Sequence, residues 1–363
     1  MPLLAWILYK QYSPFHRPAR ALNKFVTNHR GSGDTATPLP TPPIPPPTGG
    51  PGSLAIGLQI PWSIALHGGT PLVSERGTAR IQAVGANGAL TTIATIAGVS
   101  GTGEGGLLGI AVRDNYLYAY FTAGAENRIE RYPLSGTGTG GRLGAAQTLL
   151  RGIPSGSNHN GGRIAFGPDG MLYAATGDAG ASSHSQDLGS LGGKILRLTP
   201  DGRVPADNPF SGSYVYSYGH RNVQGLAWAG DGSLYAAEFG QNTWDELNQI
   251  KAGGNYGWPV VEGKANNSKY IDPLQQWATS DASPSGIAIS SGNLYIANLR
   301  GERLRKVPLS ATGTASEFYV KEYGRLRDVV AAPDGRLYVL TNNTDGRGTP
   351  KSGDDRLLSV PVL

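Results

Sequence analysis

Cysteine is absent from all 363 residues, and this absence removes several kinds of chemistry at once. Without a thiol the chain has no disulfide, no thiolate nucleophile, no zinc–sulfur site and no cysteine-linked lipid. Charged residues are scarce at 16%, and no stretch sustains a helical hydrophobic period. HExxH and EF-hand motifs are missing as well. Together these absences exclude several metal-dependent and covalent mechanisms, but they leave the cellular compartment open.

Long apolar runs and a charge bias in the body of the chain are missing too. The apolar start "MPLLAWILY" is too short to span a bilayer and resembles at most a degenerate leader, so we expect no stable membrane span. Of the formal net charge of +5, +4 lies in residues 1–50, and the nearly neutral remainder argues against nucleic-acid binding. "PLPTPPIPPPTGGP" (38–51) is typical of an extended spacer. We therefore expect residues 1–52 to be a disordered basic tail and proline-rich linker.

Glycine is abundant, at 54 residues, and many of these glycines separate short apolar segments. One hairpin pattern recurs six times: an apolar strand, a turn rich in Gly, Asp or Asn, and a second strand containing Leu-Tyr or a similar pair. "RIAFGPDGMLYAAT" (163–176) and "DVVAAPDGRLYVLT" (328–341) are two of the copies. The leucines that open the second strands are Leu72, Leu117, Leu172, Leu234, Leu294 and Leu337.

The spacing of these leucines indicates the architecture. Successive separations are 45, 55, 62, 60 and 43 residues, with a mean near 53. A four-stranded propeller blade takes roughly 40–50 residues, whereas the rungs of a β-helix are much shorter, and a sandwich has no reason to repeat one hairpin six times. The sequence therefore predicts an all-β protein, a six-bladed β-propeller formed by residues 53–363.

Polar residues lie just before several of these hairpins, where the entering loops of a propeller meet around its channel. "SNHNGG" (157–162) contributes His159, "GHRNVQ" (219–224) contributes Arg221, and "GRLR" (324–327) contributes Arg325 and Arg327. Arginines bind planar anions through paired hydrogen bonds, and histidine is a candidate general base. From the residues alone, a turn-stabilising histidine and solvated surface arginines remain open as alternatives.

Longer motifs carry a resemblance to a known family. They include "GEGGLLGIAV" (103–112), "HNGGRIAFGPDGMLYAATGD" (159–178), "YGHRNVQGLAW" (218–228), "DELNQIKAGGNYGWP" (245–259) and "RLRDVVAAPDGRLYVLT" (325–341). Over about residues 54–363 the chain resembles the soluble PQQ-dependent sugar dehydrogenases, also called the glucose/sorbosone dehydrogenase family. Within this family, the chain resembles especially the bacterial aldose sugar dehydrogenases.

The resemblance implies a propeller enzyme that uses pyrroloquinoline quinone (PQQ) and Ca²⁺ to oxidise aldoses at the anomeric carbon to lactones. His159 is then the base that assists hydride transfer to the quinone, Asp178 orients it, and Arg221 and the calcium ion polarise the quinone carbonyl. Glu104 and Asn158 are expected near the sugar. Gly240 and Gln241 are expected to offer main-chain oxygens to calcium. The implied cofactor contacts are Arg221, Asn222, Gln224, Arg300, Arg325 and Arg327.

Two other functions fit a propeller with a polar channel. One is a calcium-dependent lactonase that acts on sugar lactones, and it would not need the arginines. The other is a non-catalytic propeller that binds a protein or a glycan, and it would need neither His159 nor a quinone. The resemblance also implies a periplasmic or extracellular location. No motif identifies the particular sugar, the electron acceptor or the oligomeric state.

Overall fold

The computed structural model describes residues 51–363, which form six antiparallel sheets with almost no helix. This confirms the predicted six-bladed β-propeller. The predicted disordered tail and nearly all of the proline-rich linker lie outside the described residues. No helix in the described part of the chain has the length and apolarity of a bilayer-crossing segment.

The first three blades follow one another along the chain after a short strand, β1 (Gly52–Ala55). Blade 1 consists of β2 (Pro61–His67), β3 (Thr70–Glu75), β4 (Arg80–Val84) and β5 (Leu90–Thr95). Blade 2 consists of β6 (Leu107–Arg113), β7 (Tyr116–Ala123), β8 (Glu126–Ser135) and β10 (Gln147–Pro154), with the short β9 (Arg142–Leu143) paired to β8. Blade 3 consists of β11 (Ile164–Phe166), β12 (Leu172–Ala175), β13 (Lys194–Leu198) and β14 (Val215–Tyr218).

The last three blades complete the ring, and the only helical elements of the described chain are three single 3₁₀ turns. Blade 4 consists of β15 (Val223–Trp228), β16 (Leu234–Glu238), β17 (Trp244–Ile250) and β18 (Gln275–Ala278). Blade 5 consists of β19 (Pro284–Ser290), β20 (Asn293–Asn298), β21 (Arg303–Pro308) and β22 (Ser316–Phe318). Blade 6 consists of β23 (Leu326–Ala331), β24 (Leu337–Thr341), β25 (Leu357–Val360) and β1. The 3₁₀ turns are Gly138–Gly140, Ser182–Ser185 and Leu309–Ala311.

Blade 6 closes the ring by combining both ends of the described chain. Strand β1 pairs antiparallel with β25, with Gly52 opposite Ser359. Closure by an N-terminal strand was not anticipated from the repeat, because only the two inner strands of each blade carry the recurring pattern. The pairing gives β25 a neighbour on both sides, so the C-terminal strand is not left as a sheet edge.

The six repeated hairpins are the inner strand pairs of the blades, and their leucines form the cores between blades. All six leucines that open the second strands are at most 4% exposed. Clusters such as the one containing Leu72, Ile81, Leu107 and Phe121 join residues of adjacent blades. The recurring leucine therefore marks an interblade packing position, and this explains why it was the clearest element of the repeat.

Inner strands of neighbouring blades approach closely near the channel. The Gly109 N–H donates directly to the Gly162 carbonyl at 3.0 Å, across the boundary between blades 2 and 3. A methyl group on Gly109 would lie 2.1 Å from that carbonyl oxygen, so a side chain there is sterically excluded. This close approach brings together the loops that precede the inner strands, including the loop that carries His159.

A buried polar network ties four blades together across the axis. The Asp328 carboxylate accepts hydrogen bonds from the Ile64 N–H at 2.8 Å and from the Arg163 guanidinium at 2.9 Å. Arg163 also donates to the Ser63 hydroxyl and to the Gln224 main-chain carbonyl. Asp328 and Arg163 are 2% and 6% exposed. Loss of one partner would leave the other charge buried and unpaired, which is strongly destabilising.

We expect Asp328→Ala to lower the free energy of unfolding by about 3–5 kcal/mol, the usual cost of breaking a buried ion pair by removing one partner. Urea denaturation followed by fluorescence measures the change. Asp281→Ala is the matched control, since Asp281 is exposed and its carboxylate has no ion pair among the described residues. This control should cost less than about 1 kcal/mol. Equal losses in the two variants would show that the axial ion pair does not stabilise the ring.

Candidate active site

A cavity of about 420 Å³ is lined by loops of several blades, and its walls are strongly cationic. Two carboxylates, Glu104 and Asp245, and the imidazole of His159 also line it. Of the twelve residues singled out from the sequence, ten lie in this lining. The guanidinium groups that line it belong to Arg76, Arg221, Arg300, Arg325, Arg327 and Arg347.

The two remaining residues of that set lie elsewhere. Asp178 is 1% exposed and lies behind His159 rather than on the cavity wall. Asn158 does not line the cavity, and its side-chain oxygen lies beside Gly180 instead. Asn158 is therefore not part of the cavity lining, and its expected contact with the sugar stays a prediction.

The loop around His159 is built to present the imidazole. The backbone at His159 has a φ of +54°, a conformation that non-glycine residues rarely adopt. The His159 N–H donates to the Glu104 carboxylate at 3.0 Å, and the following Gly161 N–H donates to the Asn222 side-chain oxygen at 3.0 Å. Contacts from two other blades thus hold the unusual turn in place.

The His159 ring forms a short hydrogen bond with a buried carboxylate. His159 Nδ1 lies 2.7 Å from Asp178 Oδ1, so the geometry assigns the Nδ1 proton to that bond and leaves Nε2 free as an acceptor. Burial alone would raise the pKa of Asp178, but hydrogen bonds from His159, the Gly180 N–H and Trp258 lower it below its ordinary value of 3.8. The stabilisation from this carboxylate is therefore present above that value and is lost only as the pH falls through the lower folded pKa.

Gly177 gives the His159 loop the space that it needs. A methyl group at Gly177 would lie 1.8 Å from the His159 carbonyl oxygen and 3.0 Å from the Asn222 side chain. We expect Gly177→Ala to displace His159 and to reduce turnover by at least about tenfold, as angstrom-scale misplacement does elsewhere. Steady-state kinetics check this, with Gly230→Ala as control because a methyl group there meets nothing within 4 Å. Unchanged turnover in Gly177→Ala would contradict the packing argument.

Arg221 connects the Asp178 backbone to the loop that follows β16, because its main-chain carbonyl accepts the Asp178 N–H at 2.8 Å. Its main-chain N–H donates to Glu238, and its guanidinium donates to the carbonyls of Phe239 and Gly240. Burial lowers the pKa of Arg221, while nearby carboxylates, Asp178 foremost, oppose this effect. The Arg221 Nε–H is buried and has no hydrogen-bond partner among the described residues. That donor is available to a ligand in the cavity.

Arg325 and Arg327 form a second cationic wall on blade 6. Arg325 pairs with Asp345 at 3.1 Å, and Arg327 donates to the side-chain oxygens of Gln224 and Asn342 at 2.7 and 3.0 Å. Burial, reinforced by repulsion from Arg76, lowers the pKa of Arg327 to about 9. Clustered, desolvated guanidinium groups are unfavourable unless an anion compensates them.

Two further buried donors have no partner among the described residues: the Arg325 Nε–H and the Asn222 Nδ2–H₂. An unsatisfied buried donor costs about 1–3 kcal/mol, so native sites rarely leave several together without a ligand. The Trp62 ring lies below this region, 2% exposed, with the Arg327 guanidinium 5.7 Å from its centre. The donor set and the aromatic residue suit a flat, multiply charged anion. The tricarboxylate PQQ is such a group.

The metal donors expected at Gly240 and Gln241 give a less complete site. Both residues line the cavity, but the Gly240 carbonyl accepts from Arg221, and both oxygens of Asp245 accept main-chain N–H groups. Among the described residues, no three His, Cys, Asp or Glu side chains cluster as a metal site would require. Ca²⁺ takes about six to eight oxygen ligands. Gly240 and Gln241 alone therefore do not complete a calcium site, and the calcium requirement stays a prediction.

Several residues of the site were not identified from the sequence. Arg347, in the loop after β24, pairs with Glu104 at 2.8 Å, and Asp345 of the same loop holds Arg325. Arg76 and Trp258 were also missed. Arg300 was selected because it is a polar residue just after a blade strand. Asp345 and Arg347 follow β24, which ends at Thr341, in the same way, so this signal could also have identified them.

A six-bladed propeller whose cavity combines clustered guanidinium groups with a histidine–aspartate pair defines a class: propeller enzymes that hold a planar polyanion beside a base. A sequence profile of the glucose/sorbosone dehydrogenases matches residues 58–350. The chain belongs to the glucose/sorbosone dehydrogenase family, and it is an enzyme of the sugar dehydrogenase type.

Individual relatives agree with this assignment. The PQQ-bound aldose sugar dehydrogenase of Streptomyces coelicolor is 52% identical, with a TM-score of 0.81 over 87% of this chain and 99% of that one. Aldose sugar dehydrogenase YliI of Escherichia coli is 31% identical over 80% of this chain and 89% of its own length. Quinoprotein glucose dehydrogenase B of Acinetobacter calcoaceticus is 32% identical over 61% of this chain and 55% of its own length.

A likeness also exists to a protein with a different described activity. A putative gluconolactonase is 14% identical, with a TM-score of 0.54, over 87% of this chain and 93% of that one. This similarity shows the shared propeller fold alone. The family assignment therefore favours the dehydrogenase over the lactonase and the non-catalytic binding protein considered above.

Proposed function

We propose that this enzyme oxidises aldose sugars at the anomeric carbon to lactones with PQQ bound in the cationic cavity. The observation that carries the proposal is the set of buried, partnerless N–H donors on Arg221, Asn222 and Arg325, adjacent to the His159–Asp178 pair. The PQQ in the Streptomyces coelicolor relative supports the choice of quinone. When bound, PQQ supplies the two-electron acceptor for the hydride of the sugar.

Residues of three blades would hold the three carboxylates and the carbonyl oxygens of the quinone. Guanidinium groups suit this task because they donate two parallel hydrogen bonds and keep their charge. Arg300 is exposed on the rim and has no ion pair among the described residues, so it is free to engage a carboxylate at the cavity edge. The proposed contacts are Arg221, Asn222, Gln224, Arg300, Arg325 and Arg327.

His159 acts as the general base in this proposal. Its Nε2 accepts the proton of the anomeric hydroxyl while the C1–H bond releases hydride, and the C1–O bond becomes the lactone carbonyl. Asp178 holds the Nδ1 proton and stabilises the imidazolium that forms. Arg221 lies next to this pair, and its partnerless Nε–H would donate to the quinone carbonyl oxygen, on which negative charge develops.

Glu104, which lines the cavity beside the His159 backbone, is the proposed sugar contact. One of its oxygens accepts the His159 N–H and the other pairs with Arg347. Burial would raise the pKa of Glu104, but the His159 N–H and Arg347 lower it below its ordinary value. Glu104 is therefore ionised near neutral pH and accepts hydrogen bonds from sugar hydroxyls.

The test uses the purified protein, freed of cofactors and supplied with PQQ, an artificial electron-acceptor dye and a panel of aldoses. One arm contains Ca²⁺ and another contains EDTA, which tests the predicted calcium requirement. Dye reduction that depends on both PQQ and sugar is expected. Hydrolysis of sugar lactones without dye reduction would instead identify the lactonase, and absence of quinone binding would overturn the proposal.

A periplasmic or extracellular location is a separate prediction, which fractionation of the producing cells tests.

A further inference from the structure

Trp258 contacts both halves of the proposed catalytic site. Its indole N–H donates to Asp178 Oδ2 at 2.9 Å, and the Arg221 guanidinium carbon lies 5.5 Å from the centre of its ring. Among the described residues, Trp258 is the aromatic residue that both donates to Asp178 and lies against the Arg221 guanidinium. Trp258 therefore lies between the carboxylate that orients His159 and the guanidinium that the proposed mechanism places beside the reacting oxygen.

The loop that carries Trp258 is held at several points. The Trp258 N–H donates to the Gly219 carbonyl at 2.9 Å, and its carbonyl accepts from the Gln186 side chain at 2.7 Å. The Gln186 and Asn255 amides form two reciprocal hydrogen bonds. A methyl group at Gly219 would lie 2.3 Å from the Asn255 oxygen and 2.7 Å from the Gly257 nitrogen. These contacts fix Trp258 against the segment that leads to Arg221.

The indole completes the hydrogen bonding of the Asp178 carboxylate. Oδ1 accepts from His159 and from the Gly180 N–H at 2.8 Å, and Trp258 is the donor to Oδ2. With all three donors present, the carboxylate is confined to one orientation, which directs Oδ1 at the imidazole. Without the indole, Oδ2 of Asp178, a residue that is 1% exposed, would have no hydrogen-bond donor among the described residues.

We propose that Trp258 is a positioning residue that sets the geometry and the proton affinity of the His159–Asp178 pair and keeps Arg221 beside it. This inference rests on the proposed function. It does not require Trp258 to touch the sugar or the quinone. The charged and titratable groups that face the pair are Glu104 and Arg347 beside the His159 backbone, Arg221 beside Asp178, and His184, whose Nδ1 lies 3.0 Å from the Asp178 carbonyl.

Two substitutions separate the functions of the indole. Trp258→Phe keeps a ring beneath Arg221 but removes the N–H, whereas Trp258→Leu removes both. Loss of the donor concentrates negative charge on Asp178, which stabilises the imidazolium. In Trp258→Phe, we expect the midpoint of the His159 ring titration to lie above that of the wild type. We expect kcat to fall about tenfold, the lower end of the loss seen when the outer hydrogen-bond partners of metal-ligating histidines are removed.

The titration is measured by NMR on the full chain without quinone, labelled at histidine, with the His159 signal assigned from a His159→Ala spectrum. Trp277→Phe is the matched control, since Trp277 also lies beneath an arginine, Arg305 at 4.7 Å, but on β18 outside the cavity. The control should leave both the midpoint and kcat unchanged.

The outcomes distinguish this inference from the proposed function. An unchanged His159 midpoint in Trp258→Phe, with only a lower melting temperature, would overturn the positioning role. A shifted midpoint in a protein that neither binds PQQ nor oxidises sugars would support the coupling of Trp258 to the pair while refuting the dehydrogenase. A shifted midpoint with lowered kcat and unchanged quinone affinity supports both.

Discussion

His159→Ala should reduce kcat of the quinone-loaded enzyme by about 10²–10⁴-fold, the range that a positioned general base contributes. The His159 side chain lines the cavity and is 15% exposed, and its Nδ1 lies 2.7 Å from Asp178 Oδ1. Alanine removes the proton acceptor. The guanidinium groups that bind the quinone lie on other loops, so the affinity for PQQ should stay within about threefold of the wild-type value.

Pre-steady-state reduction of bound quinone by an aldose measures the chemical step directly, and quinone titration measures the affinity. His67→Ala is the control, because His67 contacts the Gly136 carbonyl at 2.9 Å and lies outside the cavity. It should leave both quantities unchanged. Wild-type reduction rates in His159→Ala would show that another group takes the proton. Loss of quinone binding would show that His159 belongs to the cofactor site.

Arg325→Leu should weaken PQQ binding by about 10–100-fold, which corresponds to the loss of a charge-assisted hydrogen bond of about 1.5–3 kcal/mol. Arg325 is 7% exposed, its Nε–H is buried without a partner among the described residues, and Asp345 holds its NH2 group at 3.1 Å. The guanidinium is therefore held in place before the ligand arrives. Isothermal titration of the cofactor-free protein measures the affinity.

Two variants help to interpret this result. Arg325→Lys keeps the charge but loses the planar fork, so we expect an intermediate affinity. Arg151→Ala, an exposed arginine on β10, serves as the charge-matched control and should bind PQQ normally. Circular dichroism confirms that each variant is folded, because Arg325→Leu also leaves Asp345 with a more distant partner, Arg327 at 4.0 Å. Equal PQQ affinities for Arg325→Leu and the wild type would contradict the assignment of Arg325 to the cofactor site.

Much of the fold was predictable because its information is local. The turn residues and the alternation of buried positions recur with each blade, and the leucines at their centres pack between blades. Counting them gave the correct number of blades. Closure by β1 was not predictable in this way, because β1 pairs with a strand at the opposite end of the chain and has no copy of the repeat.

The candidate site divides in the same manner. Polar residues before inner strands, such as His159, Arg221 and Arg325, were identified because the propeller places equivalent loops on one face. The resemblance also placed Asn158 near the sugar, whereas the structure places His159, but not Asn158, in the cavity lining. The resemblance identified Asp178, but it did not identify the indole that completes its hydrogen bonding.

The sequence by itself determined the six hairpins, the blade count, the cationic character of the channel loops and the family. These depend on side-chain period, turn chemistry and motif, which act over a few residues. The tertiary structure alone decided which of those loops meet. It joined Trp258 to Asp178 across 80 residues and Arg347 to Glu104 across 243. Such contacts depend on how the blades close around the axis, and short-range sequence patterns do not determine which distant loops that closure brings together.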